Sequence, residues 1–187
     1  MAIGSLHPDG ARVSILLADH VSTSRAAVHE LDLATGATTP LLTLPEDEWV
    51  GYVVWLPSGQ EYVMSVYRPS TQMTELRRFS RSSPTSTGTP IPGTQCANLA
   101  DPTVSPDGRQ IVFLCGNTYR SVGLDGARPA PLPPGFRSLG PVKFSPDGEF
   151  LAYTSYEDSQ IWFLRLSTGE HWRAFDTDDI ALLSDWR

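Results

Sequence analysis

The residues best suited to chemistry in this chain are carboxylates, which gather in three short stretches. Asp176, Asp178 and Asp179 form an Asp-x-Asp-Asp run whose hard oxygen atoms are the ligands that Ca²⁺ prefers. The run lacks the glycine and the distal glutamate of an EF-hand loop. The other two stretches, residues 46–48 and residues 157–158, are short acidic runs without a metal-ligand pattern. We therefore predict no metal site and no cofactor from these carboxylates.

The sequence also lacks the recognisable motifs of histidine metal sites, serine hydrolases and nucleotide-binding enzymes. No histidine lies at metal-ligand spacing from another histidine or from a cysteine; the four are His7, His20, His29 and His171. The sequence contains no Gly-x-Ser-x-Gly elbow of a serine hydrolase, and neither a Walker A nor a Rossmann glycine pattern. We predict that the chain is not an enzyme and has no catalytic residues.

Composition excludes two further classes of partner. The formal net charge of -7 argues against nucleic acid, because a protein that binds a phosphate backbone needs a basic face. The longest apolar run, residues 50–56, has the length of a strand, and about 20 residues are needed to span a bilayer. No membrane insertion is predicted. Residues 1–4 have neither a basic nor an apolar leader segment, so no signal peptide is predicted either.

The two cysteines, Cys96 and Cys115, leave two alternatives open. If residues 101–104 and 110–115 form a hairpin, Cys96 lies just beyond the strand position that faces Cys115, and a disulfide can form. The other alternative is a buried free thiol at Cys115, since a free cysteine behaves as a small apolar residue.

A repeated turn positions all of these residues. The phrase Ser145-Pro146-Asp147-Gly148 has apolar, alternating stretches on both sides, which predicts two antiparallel strands joined by a tight loop. Related phrases start at residues 7, 56 and 105, and a broken copy starts at residue 184. The second copy carries Ser58 where the others have aspartate. Intervals of about 40–50 residues with four short strands each are typical of propeller blades.

A second repeated phrase supports the same interpretation. Residues 31–36 and residues 164–169 both end in Thr-Gly and both fall at the predicted turn between a third and a fourth strand. No segment shows a sustained helical period, so the predicted fold class is all-β. We predict one domain over residues 1–187, with blades at about 1–45, 46–92, 93–134 and 135–176 and an extra opening strand within 178–187.

These two phrases together resemble the TolB-type β-propeller repeat, a relative of the WD repeat, over essentially the whole chain. The WD signature itself is missing, since no blade closes with Trp-Asp after a Gly-His. The resemblance implies a scaffold that binds proteins, peptides or occasionally small molecules, and it favours a location outside the cytoplasm. Such propellers also occur beside catalytic domains, as in prolyl-oligopeptidase-type peptidases, and a few members of the family are sugar lyases.

Four blades leave the closure of the ring open. The sequence predicts four four-stranded antiparallel blades plus an extra strand, forming either a partial ring that another copy or segment completes, or a small closed ring. An open arc would expose apolar blade faces of several hundred Å². We therefore expect a homodimer that completes an eight-blade ring, or membership in a longer chain, in preference to a closed monomer.

Alternating strand direction separates two ends of the blades. The repeated turns lie at one end and are interpreted as structural, so the variable loops at the other end are the predicted functional face. This face is markedly acidic and favours a cationic protein or peptide partner, with ordinary solubilising charge as the alternative. Its candidates for partner binding are Glu46, Asp47, Glu48, Trp49, Arg68, Tyr156, Glu157, Asp158, Asp176, Asp178 and Asp179.

The predicted function is therefore non-catalytic binding of a protein or other ligand through the acidic loop face. One alternative is an accessory propeller that gates or recruits substrate for a peptidase-type hydrolase in a larger chain. Another is a metal-dependent site for a small molecule in the central channel of the ring.

Overall fold

A computed structural model describes residues 2–18, 26–43, 45, 47–82, 87–133, 136–138 and 140–174. Within these ranges the chain forms sixteen β-strands and no helix. The strands make four sheets, each of four antiparallel strands, and none of these sheets is closed. The chain divides into two compact units, Met1–Ala100 and Asp101–Arg187.

The first unit holds two sheets. In the first sheet, β1 (Ala2–Leu6), β2 (Arg12–Ala18), β3 (Ala26–Asp32) and β4 (Thr38–Thr43) pair in chain order. In the second, β5 (Trp49–Trp55), β6 (Glu61–Arg68), β7 (Met73–Ser80) and β8 (Thr89–Pro90) do the same.

The other two sheets repeat this meander. The third contains β9 (Leu99–Val104), β10 (Gln110–Cys115), β11 (Thr118–Gly123) and β12 (Ala130–Pro131), and β9 begins at the end of the first unit. The fourth contains β13 (Lys143–Phe144), β14 (Phe150–Thr154), β15 (Ile161–Arg165) and β16 (His171–Arg173). Four such meanders are four propeller blades.

The core of each unit lies between its two sheets. In the first unit, residues of the first sheet (Leu16, Val28, Leu41 and Leu42) pack against residues of the second (Val53, Trp55, Tyr62, Met64, Val66 and Phe79). In the second unit, Val112, Tyr119 and Leu132 pack against Phe136, Val142, Phe144, Leu151, Tyr153 and Leu164. An inner strand of a sheet has neighbours on both edges and is largely buried, as the run of buried residues in β6 illustrates.

The repeated turn has one geometry in all four copies. The glycine N–H donates to the carbonyl oxygen three residues earlier at 2.8–2.9 Å. The φ angles of these glycines are 72°, 66°, 69° and 77°, a left-handed conformation that residues with a side chain rarely adopt. The glycine is therefore the conformational requirement of the motif.

The aspartate of the motif closes the turn from its side chain. Asp107 Oδ1 accepts hydrogen bonds from Ser105 Oγ at 2.6 Å and from the Arg109 N–H at 3.0 Å. The hydrogen bond from Ser105 is the largest cause that lowers the pKa of Asp107 below its usual value. Asp147 has the same two partners in the fourth sheet, Ser145 Oγ and the Glu149 N–H. Where Ser58 replaces the aspartate, its hydroxyl accepts from the Gln60 N–H at 3.3 Å.

The four sheets of four antiparallel strands agree with the expectation from sequence. The fourth strands of the second and third sheets are short, with two paired residues each, because Pro90 and Pro131 cannot donate to a further ladder bond. The extra opening strand expected within residues 178–187 lies outside the described residues.

The two cysteines are both thiols, so the disulfide alternative does not hold. Cys96 pairs with Thr74 through two backbone hydrogen bonds of 2.8 and 2.9 Å and is buried in the first unit. Cys115 is half-buried, less enclosed than the free-thiol alternative assumed.

Candidate functional site

Each unit has two chemically different ends. The turn end consists of the turns between first and second strands and between third and fourth strands. The loop end consists of the loops between second and third strands and of the connection that leads into the next sheet. The two ends differ in whether their polar groups are already hydrogen-bonded within the protein or remain exposed.

At the turn end of the first unit, polar groups are used to join the two sheets. His7 Nε2 donates to the carbonyl oxygen of Gly59 at 3.0 Å, and the His7 ring meets the Trp55 ring edge-on at 4.6 Å. A Cβ on Gly59 would lie 2.7 Å from His7 Cε1, so the close approach also requires glycine. In the second unit, a Cβ on Gly148 would lie 3.5 Å from Pro106 Cδ. Successive turn motifs of one unit thus touch, as expected of a structural device.

A buried carboxylate reinforces this end of the first unit. Glu30 on β3 accepts from Arg81 Nε at 3.0 Å and from Arg81 Nη2 at 2.8 Å, across the two sheets. Arg12 Nη1 donates to the same carboxylate at 3.2 Å. The bidentate geometry is the strong form of an arginine–carboxylate pair. The charge of Glu30 is therefore already satisfied within the protein.

A second buried network lies toward the loop end of the first unit. Arg77 on β7 donates from Nη2 to Glu48 Oε1 at 2.7 Å, from Nη1 to Glu48 Oε2 at 2.9 Å and from Nε to Glu75 Oε1 at 2.7 Å. Arg68 Nη2 also reaches Glu48 Oε1 at 2.9 Å, and Gln95 Nε2 donates to Glu75 Oε2 at 3.0 Å. Two carboxylates and two guanidinium groups make this network electrically neutral.

Two opposing effects act on the carboxylates of this network. Burial raises the pKa of Glu48, but the hydrogen bonds from Arg77 and Arg68 outweigh burial and hold the pKa below its usual value. Burial likewise raises the pKa of Glu75, and hydrogen bonds from Gln95 and Arg77 again lower it. Both groups are ionised at neutral pH. Glu48, expected as an exposed acid of the loop face, is instead buried and paired.

Exposed aromatic side chains mark the loop end of the first unit. Trp49 is the first residue of β5 and is 47% exposed, and its ring lies 5.5 Å from the ring of Tyr67 on β6. Tyr52 is 40% exposed three residues further along β5. Asp47, two residues before Trp49, is exposed as well. These four residues offer an aromatic surface beside one acidic charge.

A β-bulge presents these side chains. The pairing of β5 with β6 shifts between Val50 and Val53, so that two residues oppose the single residue Ser65. Ser65 is buried, and its Oγ accepts from the Tyr52 N–H at 2.7 Å. A Cβ on Gly51 would lie 2.8 Å from that oxygen, so glycine is needed here.

The same arrangement recurs in the first sheet. Ser14 on β2 is buried, and its Oγ accepts from the Ser5 N–H at 2.8 Å beside Gly4. The pairing of β1 with β2 shifts between Ile3 and Leu6. A buried serine facing a glycine-containing bulge is a device that the sequence repeat did not reveal, because serine and glycine are frequent in turns.

The loop end of the second unit contains a recess of about 420 Å³. Its floor and walls come from the loop of the third sheet, from the connection into the fourth sheet and from the loop of the fourth sheet. The lining residues are Leu114, Gly116, Asn117, Tyr119, Arg137, Ser138 and Tyr156. The third sheet contributes a loop of two residues, and the fourth contributes residues 155–160, so the recess forms at the step between a short and a long loop.

The connection into the fourth sheet is anchored by one phenylalanine. Phe136 is buried, with its ring 4.3 Å from the ring of Tyr153 and 5.2 Å from that of Tyr119. The next residue, Arg137, is consequently directed away from the core and is exposed. Its carbonyl oxygen accepts from the Tyr156 N–H at 3.1 Å, which ties the connection to the loop of the fourth sheet.

Two hydroxyl groups of the recess are already engaged. Tyr119 Oη donates to the carbonyl oxygen of Gly140 at 3.0 Å, and Ser138 Oγ donates to the same oxygen at 2.6 Å. By contrast, Tyr156 is 64% exposed. No described residue pairs with the guanidinium group of Arg137.

The acids next to Tyr156 differ from each other. Asp158 accepts from Trp162 Nε1 at 3.1 Å and from the Gln160 N–H at 3.1 Å. Burial raises the pKa of Asp158, but these hydrogen bonds outweigh it and lower the pKa. Glu157 is exposed, and its N–H donates to Ser155 Oγ at 3.1 Å. Asp158 therefore serves the loop structure, whereas Glu157 faces solvent.

The predicted site residues thus occupy different environments. Asp47, Trp49, Tyr156, Glu157 and Asp158 lie exposed at a loop end, Arg68 is half-buried, and Glu48 is buried. Glu46, Asp176, Asp178 and Asp179 fall outside the described residues. Sequence reasoning missed Tyr52, Glu75, Arg77, Asn117 and Arg137. Among the described residues, no group of three or more histidine, cysteine or acidic side chains is placed to hold a metal ion.

No helix within the described ranges has the length and apolar character needed to cross a membrane.

The chain is similar to several solved propeller structures. It matches TolB from Acinetobacter baumannii with a TM-score of 0.70 and 14% identity, over 97% of this chain and 45% of that chain. It matches a putative TolB from Agrobacterium tumefaciens with a TM-score of 0.66 and 21% identity, over 91% of this chain and 63% of that chain. The chain therefore spans about half to two thirds of these two proteins.

A third similar structure belongs to a protease. The β-propeller domain of the Trilobed protease from Pyrococcus furiosus, described as having an open velcro topology, matches with a TM-score of 0.59 and 9% identity, over 89% of this chain and 55% of that chain. A scan against protein-family models and a search of curated proteins find no match. At these identities the likeness concerns the fold, and on that basis the chain has a TolB-type β-propeller fold.

Proposed function

We propose that this chain is a non-catalytic propeller module that binds a protein or peptide partner at a loop end of its units. The observation that carries the proposal is the exposure of an aromatic side chain at the loop end of each unit, Trp49 in the first and Tyr156 in the second. Exposed tyrosine and tryptophan supply large contact area at low entropic cost and dominate many protein interfaces. The turn end, in contrast, uses its polar groups to hold the sheets together.

The exposed charges at the loop ends favour a partner whose surface combines aromatic-binding groups with basic residues. Asp47 and Glu157 are exposed and favour basic residues of a partner around the aromatic contacts. Glu48 does not add to this attraction because Arg68 and Arg77 neutralise it. The expected preference for a cationic partner accordingly rests on fewer acids than the sequence suggested.

The environment of the described histidines supports a binding role over a catalytic one. The polar partners of His7 are Gly59 and Asp9 of the turn end, and Nδ1 of His171 lies 2.9 Å from Tyr153 Oη. Within the part of the chain that the structure describes, no serine or cysteine hydrogen-bonds to a histidine, the arrangement that activates a nucleophile.

Selection of peptides from a phage-displayed random library tests the proposal. We expect peptides that bind the wild-type protein and that lose about tenfold or more in affinity to Trp49→Ala, in the first unit, or to Tyr156→Ala, in the second, the loss typical of an interface hot spot. Leu33→Ala is the matched control, since Leu33 is an exposed apolar residue of the turn end. Equal loss in the Leu33→Ala variant, or no loss in either aromatic variant, would contradict a loop-end site.

A second candidate function is that of an accessory propeller in a larger hydrolase. Its support is the similarity to the propeller domain of the Trilobed protease. Sequencing the complete coding region distinguishes the two candidates. A Gly-x-Ser-x-Gly domain in the same reading frame favours the accessory role, and its absence there favours an independent binding module.

A further inference from the structure

We propose that the recess at the loop end of the second unit is a subsite for a peptide carboxylate, with Arg137 as its cationic anchor. This inference rests on the proposed binding function and adds the chemistry of one contact. The recess, about 420 Å³ in volume, lies within the usual range of ligand pockets and is large enough for one acidic side chain or a chain terminus with its neighbour.

Arg137 differs from six of the other ten arginines that the structure describes. Each of these six has an acidic partner within 3.2 Å; they are Arg12, Arg68, Arg77, Arg78, Arg81 and Arg165. Arg137 lines a recess, and no described residue neutralises it. A guanidinium group presents a planar fork of donors that matches a carboxylate with two parallel hydrogen bonds. The position of Arg137 is therefore suited to an external carboxylate.

Neighbouring donors complete the subsite. The hydroxyl protons of Tyr119 and Ser138 are committed to the carbonyl oxygen of Gly140. The side-chain amide of Asn117 and the hydroxyl of Tyr156 line the same recess and have no partner among the described residues. Both groups can donate to oxygen. One guanidinium and two neutral donors thus line the recess.

The acidic residues next to Tyr156 favour a carboxylate over a phosphate as the ligand of the recess. Glu157 and Asp158 follow Tyr156 directly, and both are exposed. A phosphate ester carries a charge of about -1.5 to -2 at neutral pH, so these acids repel it more strongly than a singly charged carboxylate. The expected ligand is a peptide with one carboxylate in the recess and neutral or basic residues beside it.

The short loop of the third sheet also shapes the recess. Gly116 and Asn117 form a two-residue loop in which Gly116 has a φ of 62°. A two-residue hairpin loop needs a positive φ at its first central residue, and glycine adopts it readily. The loop is therefore among the shortest that can join two antiparallel strands. A longer loop at this position would fill the space in front of Arg137.

Nuclear magnetic resonance of ¹⁵N-labelled protein tests the subsite with small probes. The probes are N-acetyl-alanine, which carries only a terminal carboxylate, and N-acetyl-glutamic acid α-amide, which carries only a side-chain carboxylate. N-acetyl-glutamine amide is the neutral isostere, and inorganic phosphate is the dianionic competitor. The reporters are the Arg137 Nε–H, the Asn117 side-chain amide and the Gly116 backbone amide.

We expect saturable shifts of these three signals with at least one carboxylate probe, at a Kd of about 1–10 mM, the weak affinity of a single contact. The probe that binds more tightly identifies the source of the carboxylate. Arg137→Gln should weaken binding by about fivefold or more, as loss of a charged hydrogen-bond partner does. Arg120→Gln should leave it unchanged, because Arg120 is an exposed arginine of the same unit that does not line the recess.

Equal shifts with the glutamine probe, tighter binding of phosphate, or no saturation by about 50 mM of either carboxylate would overturn the subsite. These results are separable from failure of the binding function. Library peptides that depend on Tyr156 but not on Arg137 would remove the subsite and leave the binding function in place.

Discussion

Arg77 and Arg78 are consecutive residues of β7 and meet opposite environments. The side chain of Arg77 is 4% exposed and bonds Glu48 and Glu75, whereas that of Arg78 is 43% exposed and bonds Glu61 at 2.7 Å. Alternation of side chains across a strand accounts for the difference. The two residues form a natural pair for measuring what a buried ionic network contributes.

Arg77→Leu is expected to destabilise the protein by about 3–5 kcal/mol, because it leaves two buried carboxylates without their shared partner. Arg78→Leu, the control, should cost about 0.2–1 kcal/mol, the range for exposed ion pairs. The midpoint of urea-induced unfolding measures both changes. Similar losses in the two variants would show that Glu48 and Glu75 find other partners or become protonated.

The same network shows where sequence reasoning ends at this scale. The acidic run at residues 46–48 and the exposed Trp49 were recognisable from composition and position. The burial of Glu48 was not, because its partner Arg77 is 29 residues away and the sequence pattern does not state which loop folds over which strand. Arg137 was missed for a related reason, since its availability depends on the anchoring of Phe136.

The repeated turn shows how a four-residue phrase determines the local structure of the chain. Glycine supplies the left-handed backbone, and the aspartate accepts the N–H two residues further on, in copies such as Asp107 and Asp147. His7 takes the serine position of the first copy and uses its ring to reach Gly59. The second copy, with Ser58, retains the backbone geometry with a longer side-chain bond.

Ser58→Asp is expected to stabilise the protein by about 0.5–1 kcal/mol, because a charged acceptor strengthens the bond to the Gln60 N–H. The reverse change, Asp107→Ser, should cost a similar amount, since it weakens the bond to the Arg109 N–H. Thermal unfolding at neutral pH compares both variants with the wild type. A destabilised Ser58→Asp variant would contradict the assigned role of the aspartate.

Most elements were predictable from this periodicity. Of the hairpin expected over residues 101–104 and 110–115, β10 has the expected bounds and β9 begins two residues earlier. The fourth strand of the third sheet is short, because only Ala130 and Pro131 pair with β11. The bulges at Gly4 and Gly51 were not predicted, because their cause is a buried serine on the neighbouring strand.

At the scale of the whole molecule, the assembly of the chain remains a prediction. A propeller blade buries an apolar face against each neighbour, and rings usually have about 4–8 blades. An uncovered face of several hundred Å² would forgo about 25 cal/mol per Å² of burial. This reasoning favours two copies that complete an eight-blade ring, or a longer chain.

Light scattering coupled to size-exclusion chromatography tests the assembly. We expect a mass of twice the 20.5 kDa of one chain. The expected dimer should persist on dilution into the low micromolar range. A compact particle with the mass of a single chain would contradict self-association.

The central claim is that the partner is bound by the loop end and not by the turn end. Hydrogen–deuterium exchange of the protein with and without a selected library peptide measures this most directly. We expect slower exchange in residues 47–52 of the first unit, or in residues 116–119 and 155–160 of the second, which carry the exposed aromatic residues and the recess. Slower exchange confined to the turn motifs at residues 7–10, 56–59, 105–108 and 145–148 would contradict the claim.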